Sequence, residues 1–499
     1  MSKDMGIKLH WKEGGRMIGE SFGPKLLKKE KNLSNLATAY QVRRGHDIVP
    51  YVLKNPIRDQ KLENWFKQEA SIRIKSLKPG LSSSERQDAL EMGNRLAEGE
   101  VSPIPLSKLL QMNNFYGSAA DIVDRANQGI ELLKNNLESD LLGTAARGTP
   151  CGGASTRSAK WARENPEIAA RFGFSERTPR FLYRVGGKTL SQITLEFSNY
   201  IAKTIGKVFP NIVMTNTEIV EDLMKTVRSE WGNFIQEELE NTIFFNQIVL
   251  PRMWMEDQKI IEGKLYPAGH GDYPYLFAKY KMAKTLVECG IKYLIFSNAD
   301  EWLWQADPVM ISIAHELFQK GNHMVIIGVE NINNQFGGGF VEKRDGTQAL
   351  VEAPRLPWSI VKEKKAPIAL NTTFYAMDVE YLAANEEKLL NVNKSMIVKE
   401  VPGRQLGCTE QIFGVDSWAG DVFSEVLNPA FIQWPRLNFL GIKDGGFISG
   451  STPVDGLGGR TYLHYVNETV ATFPSTMRRL INGDRSVAEF LFRNGYSYL

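Results

Sequence analysis

An α/β protein built on a mainly parallel sheet is what the chain predicts, and two observations predict it. From about residue 143 short apolar segments alternate with amphipathic ones, the pattern of strands joined by crossover helices. The apolar segment Ile291–Phe296 then ends in Ser297-Asn298-Ala299-Asp300, shortly after a glycine-rich stretch, Tyr266-Pro267-Ala268-Gly269-His270-Gly271-Asp272. In an open α/β sheet ligands bind beyond the carboxyl ends of the strands. A helix opened by Gly269–Asp272 suits phosphate, and a strand-end Asp300 suits a divalent cation, so together they suggest a nucleotide–metal site.

The alternation reads in order as follows. Strands are expected at Phe181–Val185, Asn211–Met214, Ile243–Phe245, Ile291–Phe296 and Met324–Val329. Helices are expected at Leu190–Ile205, Glu218–Trp231, Tyr275–Cys289 and near Val309–Lys320. Leu141–Thr149 reads as a poor strand. Gly338–Glu352 reads as a hairpin turning at Arg344-Asp345-Gly346. Residues 1–142 read as a mostly helical amino-terminal region, with a basic run at Lys25–Lys31, helices after Ser84-Glu85-Arg86-Gln87 and over Ala119–Leu142. Residues 143–450 form the core, and residues 451–499 a small carboxyl-terminal region with a helix around Ser486–Arg493.

Composition narrows the partners. A net charge of +3 over 499 residues gives no case for nucleic acid. Cys151, Cys289 and Cys408 have neither metal nor disulfide spacing, no apolar run has the length of a membrane span, and Met1-Ser2-Lys3-Asp4 is no secretory signal. The expectation is a cytoplasmic protein without a membrane partner.

Several segments carry chemistry. Cys151-Gly152-Gly153-Ala154-Ser155-Thr156-Arg157 lets backbone approach a base or phosphate and brings an arginine to bridge phosphates, although the same residues make a surface turn. Pro179-Arg180 places a second cation. Gln247, at a strand end, has an amide that both donates to and accepts from a uracil edge, or caps a loop. His270 reads as a phosphate or ribose contact, or as a helix-start histidine bonded to backbone. Glu352 and Asn371 are residue types that grip sugar hydroxyls, and Lys443 suits a diphosphate.

In this order the segments resemble the eukaryotic-type UDP-sugar pyrophosphorylases, the UDP-glucose and UDP-N-acetylglucosamine pyrophosphorylases with a GT-A-like nucleotidyltransferase core. The resemblance covers roughly residues 143–450. It rests on Gly269–Asp272 and Ser297–Asp300, with Met214-Thr215-Asn216, Phe245-Asn246-Gln247, Gly338-Gly339, Leu350-Val351-Glu352, Asn371-Thr372 and Pro435-Arg436 in matching order. It implies Gly152 and Gly153 under the nucleotide, and Gln247 and Gly269 reading uracil. It implies His270 at the phosphates, Asn298, Glu352 and Asn371 at the sugar, and Asp300 at a Mg²⁺-bound diphosphate. The family's Pro-Lys pair corresponds here to Pro179-Arg180, after a longer insert; arginine keeps the charge but not the compact ammonium. The catalytic cations are then Arg157, Arg180 and Lys443.

The implied reaction joins UTP to a sugar 1-phosphate with Mg²⁺ and releases pyrophosphate. A transfer onto another acceptor on the same core, and a non-catalytic binding protein that keeps the fold, are the alternatives. Pyrophosphate release from UTP and a sugar 1-phosphate separates them.

Overall fold

The computed structural model describes residues 59–104, 119–134, 144–152, 161–171, 178–185, 188–192, 209–216, 242–262, 265–299, 308–330, 338–362, 369–390, 394–402 and 409–434, isolated positions between them, and four short strands between Ala37 and Leu53. Its spine is a sheet whose central strands are β1 (Tyr51–Leu53), β2 (Thr144–Pro150), β3 (Asn211–Thr215), β4 (Thr242–Asn246), β5 (Ile291–Phe296), β6 (Met324–Glu330), β9 (Ala369–Asp378) and β12 (Pro429–Trp434). They lie in the order β1-β4-β3-β2-β5-β9-β6-β12, with Ala37–Ala39 beyond β1. All of these adjacent pairs are parallel except those made by β9, which runs antiparallel to both β5 and β6, and the pair between Ala37–Ala39 and β1. The mainly parallel α/β architecture is therefore present.

Strand β5 shows how the two faces are filled. Leu294 and Phe296 point into a cluster with helix α4 (Asp272–Lys279) and helix α5 (Met282–Glu288), whereas Tyr293 stacks on Phe318 and bonds His315 of helix α6 (Pro308–Gln319) at 2.8 Å. Helices cover both faces, so the strand is apolar on both and reads as a continuous run. Helix α3 (Ala119–Lys134) lies against α6; Gly129 permits it, since a Cβ there would fall 1.8 Å from the Pro308 carbonyl oxygen. In the described part of residues 1–142 there are also helices α1 (Gln60–Lys75) and α2 (Ser83–Glu91), and α2 opens with the capping box Ser82/Glu85. Strand β1 joins the main sheet beside β4.

Other differences from the sequence reading have local causes. Thr144–Pro150 is a central strand, not a poor one. It carries Gly148 because large aromatic rings fill the space above it: a Cβ there would sit 2.5 Å from the Tyr273 hydroxyl and 3.1 Å from the Phe296 ring. The expected strand Phe181–Val185 is a 3-10 turn, Arg180–Leu182, followed by a two-residue strand paired with Lys188–Thr189. The helix expected over Tyr275–Cys289 is broken into α4 and α5 by Lys281, which adopts φ +52°. The hairpin is where it was expected, as β7 (Gly339–Lys343) and β8 (Gln348–Val351), with Gly346 at φ +80° in the turn. Helix α7 (Val379–Ala384) follows β9, and a further ladder, β10 (Ser395–Pro402) with β11 (Thr409–Asp416), leads into helix α8 (Ala419–Val426). Among the described residues no helix is long and apolar enough to cross a membrane.

Phe296 is the ring on which these layers meet. It is fully buried, 4.8 Å from the Tyr273 ring and 5.6 Å from both Tyr375 and Phe423. Phe296→Ala should cost about 3–5 kcal/mol of unfolding free energy, read from urea denaturation.

Candidate active site

The carboxyl ends of β2, β3, β4 and β5 and the beginning of the antiparallel β9 all reach one edge of the sheet. The edge is held by backbone: Cys151 N–H donates to Met214 O at 2.6 Å, Gln247 N–H to Thr215 O at 2.9 Å, and Ser297 N–H to Gly148 O at 3.0 Å. The first residue after each of β2, β4 and β5, namely Cys151, Gln247 and Ser297, is thereby fixed, and Gly152 and Asn298 follow one position further on.

Gly152 and Gln247 meet directly. A Cβ on Gly152 would fall 1.6 Å from Gln247 Oε1, so only glycine admits the amide at that place. Gln247 is 2% exposed, and its Oε1 has no hydrogen-bond partner among the described residues. A buried amide oxygen left without a donor costs roughly 1–3 kcal/mol, which a ligand N–H such as the uracil imide would recover. Asn216 braces the glycine, donating Nδ2–H to its carbonyl at 3.4 Å while its own Oδ1 accepts from Ile219 N–H. Gly153 and Arg157 lie outside the described residues, as does the side chain of Arg180, whose backbone opens the 3-10 turn.

The Gly269–Asp272 loop is shaped by a distant segment. Gly269 has φ +95°, and a Cβ there would lie 2.0 Å from Asp416 Oδ1. One on Gly271 would lie 2.6 Å from Trp418 N, and Gly271 N–H donates to Ser417 O at 2.9 Å. The glycines therefore have a packing use against Asp416-Ser417-Trp418. Asp272 is wholly buried and ion-paired with Lys394, whose ammonium also donates to Ser417 Oγ at 3.1 Å. Burial raises the Asp272 carboxyl above its ordinary range, and Lys394 opposes that shift. His270 Nδ1 accepts the backbone N–H of Ala419 at 3.1 Å, at the first residue of α8.

Glu352 and Asn371 also come together. Asn371 Nδ2–H donates to Glu352 Oε1 at 3.1 Å and lies 3.0 Å from the Tyr375 hydroxyl. Gly338 makes room, since a Cβ there would come within 2.6 Å of the Glu352 carboxylate. Helix α8 supports this corner as well. Asp421 accepts Glu352 N–H at 2.9 Å and pairs with Arg355 at 3.0 Å, and Arg355 reaches Glu425 at 3.1 Å. Gly420 lets the Tyr375 hydroxyl approach to 2.4 Å from where a Cβ would stand. Burial pushes the Asp421 carboxyl up, and the Arg355 guanidinium pulls it back.

Asn298 is half-buried at the end of β5, with Asp300 the first position beyond the described residues; Lys443 also lies outside them. Among the described residues no three His, Cys, Asp or Glu side chains gather as a metal cluster. Sequence reasoning missed Tyr375, Lys394, Arg355 and Asp421. The first was legible only as an apolar strand residue, and the others carry no local motif.

A mainly parallel sheet with one antiparallel strand among its central strands, and a glycine–amide corner at its carboxyl edge, is the architecture that the resemblance to nucleotidyltransferases leads one to expect. The UTP–glucose-1-phosphate uridylyltransferase family matches residues 173–446, more than half of the chain, and the chain belongs to that family. The glycine loop at Gly152 precedes the matched span. Among solved structures the fold is similar to a candidate UDP-N-acetylglucosamine pyrophosphorylase from Entamoeba histolytica, at 18% identity over 69% of this chain and 83% of that one, TM-score 0.51. It is similar to a UDP-glucose phosphorylase from Trypanosoma brucei, at 15% identity over 77% and 73%, TM-score 0.54. A variant UDP-glucose pyrophosphorylase from Leishmania major, in complex with UDP-glucose, shares 13% identity over 76% and 77%, TM-score 0.52. At these identities the likeness is one of fold. No curated protein matches the sequence.

Removing the cation from the Asp421 pair tests the support of the Glu352–Asn371 corner. Arg355→Leu leaves a buried carboxylate without its cation and should destabilise the fold by about 3–5 kcal/mol at pH 8. A carboxyl raised by burial is protonated, and harmless, at low pH, so the deficit should shrink as pH falls through that raised value. Urea titrations at pH 5 and pH 8 read the difference.

Proposed function

We propose that the chain makes a UDP-sugar and pyrophosphate from UTP and a sugar 1-phosphate, glucose 1-phosphate being the first substrate to try on the family's description. The observation that carries this reading is the Gly152–Gln247 contact, a buried, unpartnered amide oxygen over a glycine at the carboxyl edge of the sheet.

In the proposed reaction an oxygen of the sugar phosphate attacks the α-phosphorus of UTP in line. The bond from that phosphorus to the α–β bridging oxygen breaks, and pyrophosphate leaves with the electron pair. A sugar phosphate is already ionised at neutral pH, so no general base is required. Alignment and charge neutralisation remain for the protein to supply. Gln247 and Gly152 hold the uracil, with Gly269 at its rim and Gly153 under the nucleotide. Glu352 and Asn371 hold sugar hydroxyls, with Asn298 beside them. Arg157, Arg180 and Lys443 are assigned to the phosphates from the sequence.

Mg²⁺ fits this scheme as an ion carried on substrate phosphates, because such sites use only one or two protein carboxylates. Asp300, next to Ala299 at the end of β5, is the residue that would hold it. When bound, it neutralises charge on the diphosphate. We place the protein in the cytoplasm, on its cysteine spacing.

Pyrophosphate should appear when the chain is given UTP, glucose 1-phosphate and Mg²⁺, and should cease on chelation; consumption of a preformed UDP-sugar alone, with no pyrophosphate from UTP, would overturn the reading. Gly152→Val, which displaces the Gln247 amide, should raise the KM for UTP about tenfold or more while leaving the KM for the sugar phosphate within about twofold.

A further inference from the structure

Helix α8 begins without a side-chain cap from its own flank: Trp418, the N-cap residue, makes no capping hydrogen bond. The first N–H groups of a helix have no partner inside it and must find an acceptor elsewhere. For Ala419 that acceptor is the His270 ring, through Nδ1 at 3.1 Å. A neutral imidazole has one protonated and one bare nitrogen, and the protonated ring has no bare nitrogen. The bond to Ala419 is possible only when Nδ1 is bare.

We infer that Ala419 is a positioning residue, its backbone N–H holding His270 as the neutral tautomer with the proton on Nε2. This deepens the proposed function and rests on it for the ligand: a phosphate oxygen is the partner that Nε2–H suits. His270 is then a fixed hydrogen-bond donor. It carries no full charge and takes no proton, in keeping with a reaction that needs no base.

The surroundings hold the ring in that relation. Gly269 and Gly271 on either side of His270 are seated on Asp416, Ser417 and Trp418, the residues leading into Ala419. Asp272 is tied through Lys394 to Ser417 Oγ, which donates to Ala268 O at 2.9 Å. Backbone on one segment thus sets the tautomer on another, as outer-shell partners of functional histidines do.

Nitrogen NMR of the full chain labelled at its six histidines tests this directly, with His270 assigned by its loss in the His270→Gln variant. The expected result at pH 7.5 is a bare Nδ1 and a protonated Nε2. A protonated Nδ1 overturns the inference, whatever the enzyme does. Kinetics give the second arm. The longer His270→Gln side chain sets an amide N–H near the place of Nε2, whereas His270→Asn sets one near Nδ1. If Nε2–H serves the reaction, kcat should fall about tenfold in the Gln variant and about a hundredfold or more in the Asn variant. Equal losses in the two variants refute the donor at Nε2. Absence of pyrophosphate formation in wild type defeats the proposed function instead, and leaves the tautomer to be decided by the spectrum.

Discussion

The candidate site depends on the seating of Asp416–Ala419 against Gly269–Asp272. Two glycines, a buried ion pair and a backbone-to-imidazole hydrogen bond join segments almost 150 residues apart in the chain. Neither segment determines its shape alone: Gly269 is left-handed where Asp416 and Ser417 press on it, and α8 starts where His270 accepts its first N–H. Continuing from that point, α8 crosses to the other half of the site. Its third residue, Asp421, holds the backbone of Glu352, and Gly420 admits the Tyr375 hydroxyl that bonds Asn371. One helix of eight residues therefore braces both the histidine and the Glu352–Asn371 pair.

Buried charge is used sparingly in this arrangement. Asp272 and Asp421 are both almost wholly removed from water, and each is answered by a cation and a further hydrogen bond, Lys394 with Ser417 in one case and Arg355 with Glu425 in the other. Pairs of this kind add little net stability, because desolvation offsets attraction. What they supply is placement: each acid has one geometry in which it meets its cation, and that geometry fixes the loop attached to it.

Much of this was legible in the sequence, and the limits follow from physics. The alternation of apolar strands and helices was visible because a parallel sheet covered on both faces needs continuous apolar strands. Gln247 was recognisable as a polar residue at the end of such a strand, and Glu352 as one at the end of the hairpin. Thr144–Pro150 was not, because its glycine, Gly148, is dictated by the bulk of Tyr273 and Phe296, and strand propensity sees no neighbours. The break at Lys281 escaped for the opposite reason: the apolar pattern of α4 and α5 continues in phase across it. Arg355, Lys394 and Asp421 take their meaning from contacts across the fold, with no spacing that marks them in the chain.

The crowding at Gly148 has a consequence for divergence within the family. Tyr273 reaches past the bare α-carbon of Gly148 to give its hydroxyl to the Ile212 carbonyl, so three sheet and helix elements share one tight volume. A side chain gained on the strand has room only if the tyrosine is lost, and the carbonyl then needs another donor. Lineages should therefore exchange these two positions jointly or keep both, which makes them a sensitive register for aligning relatives whose overall identity has fallen too low to trust.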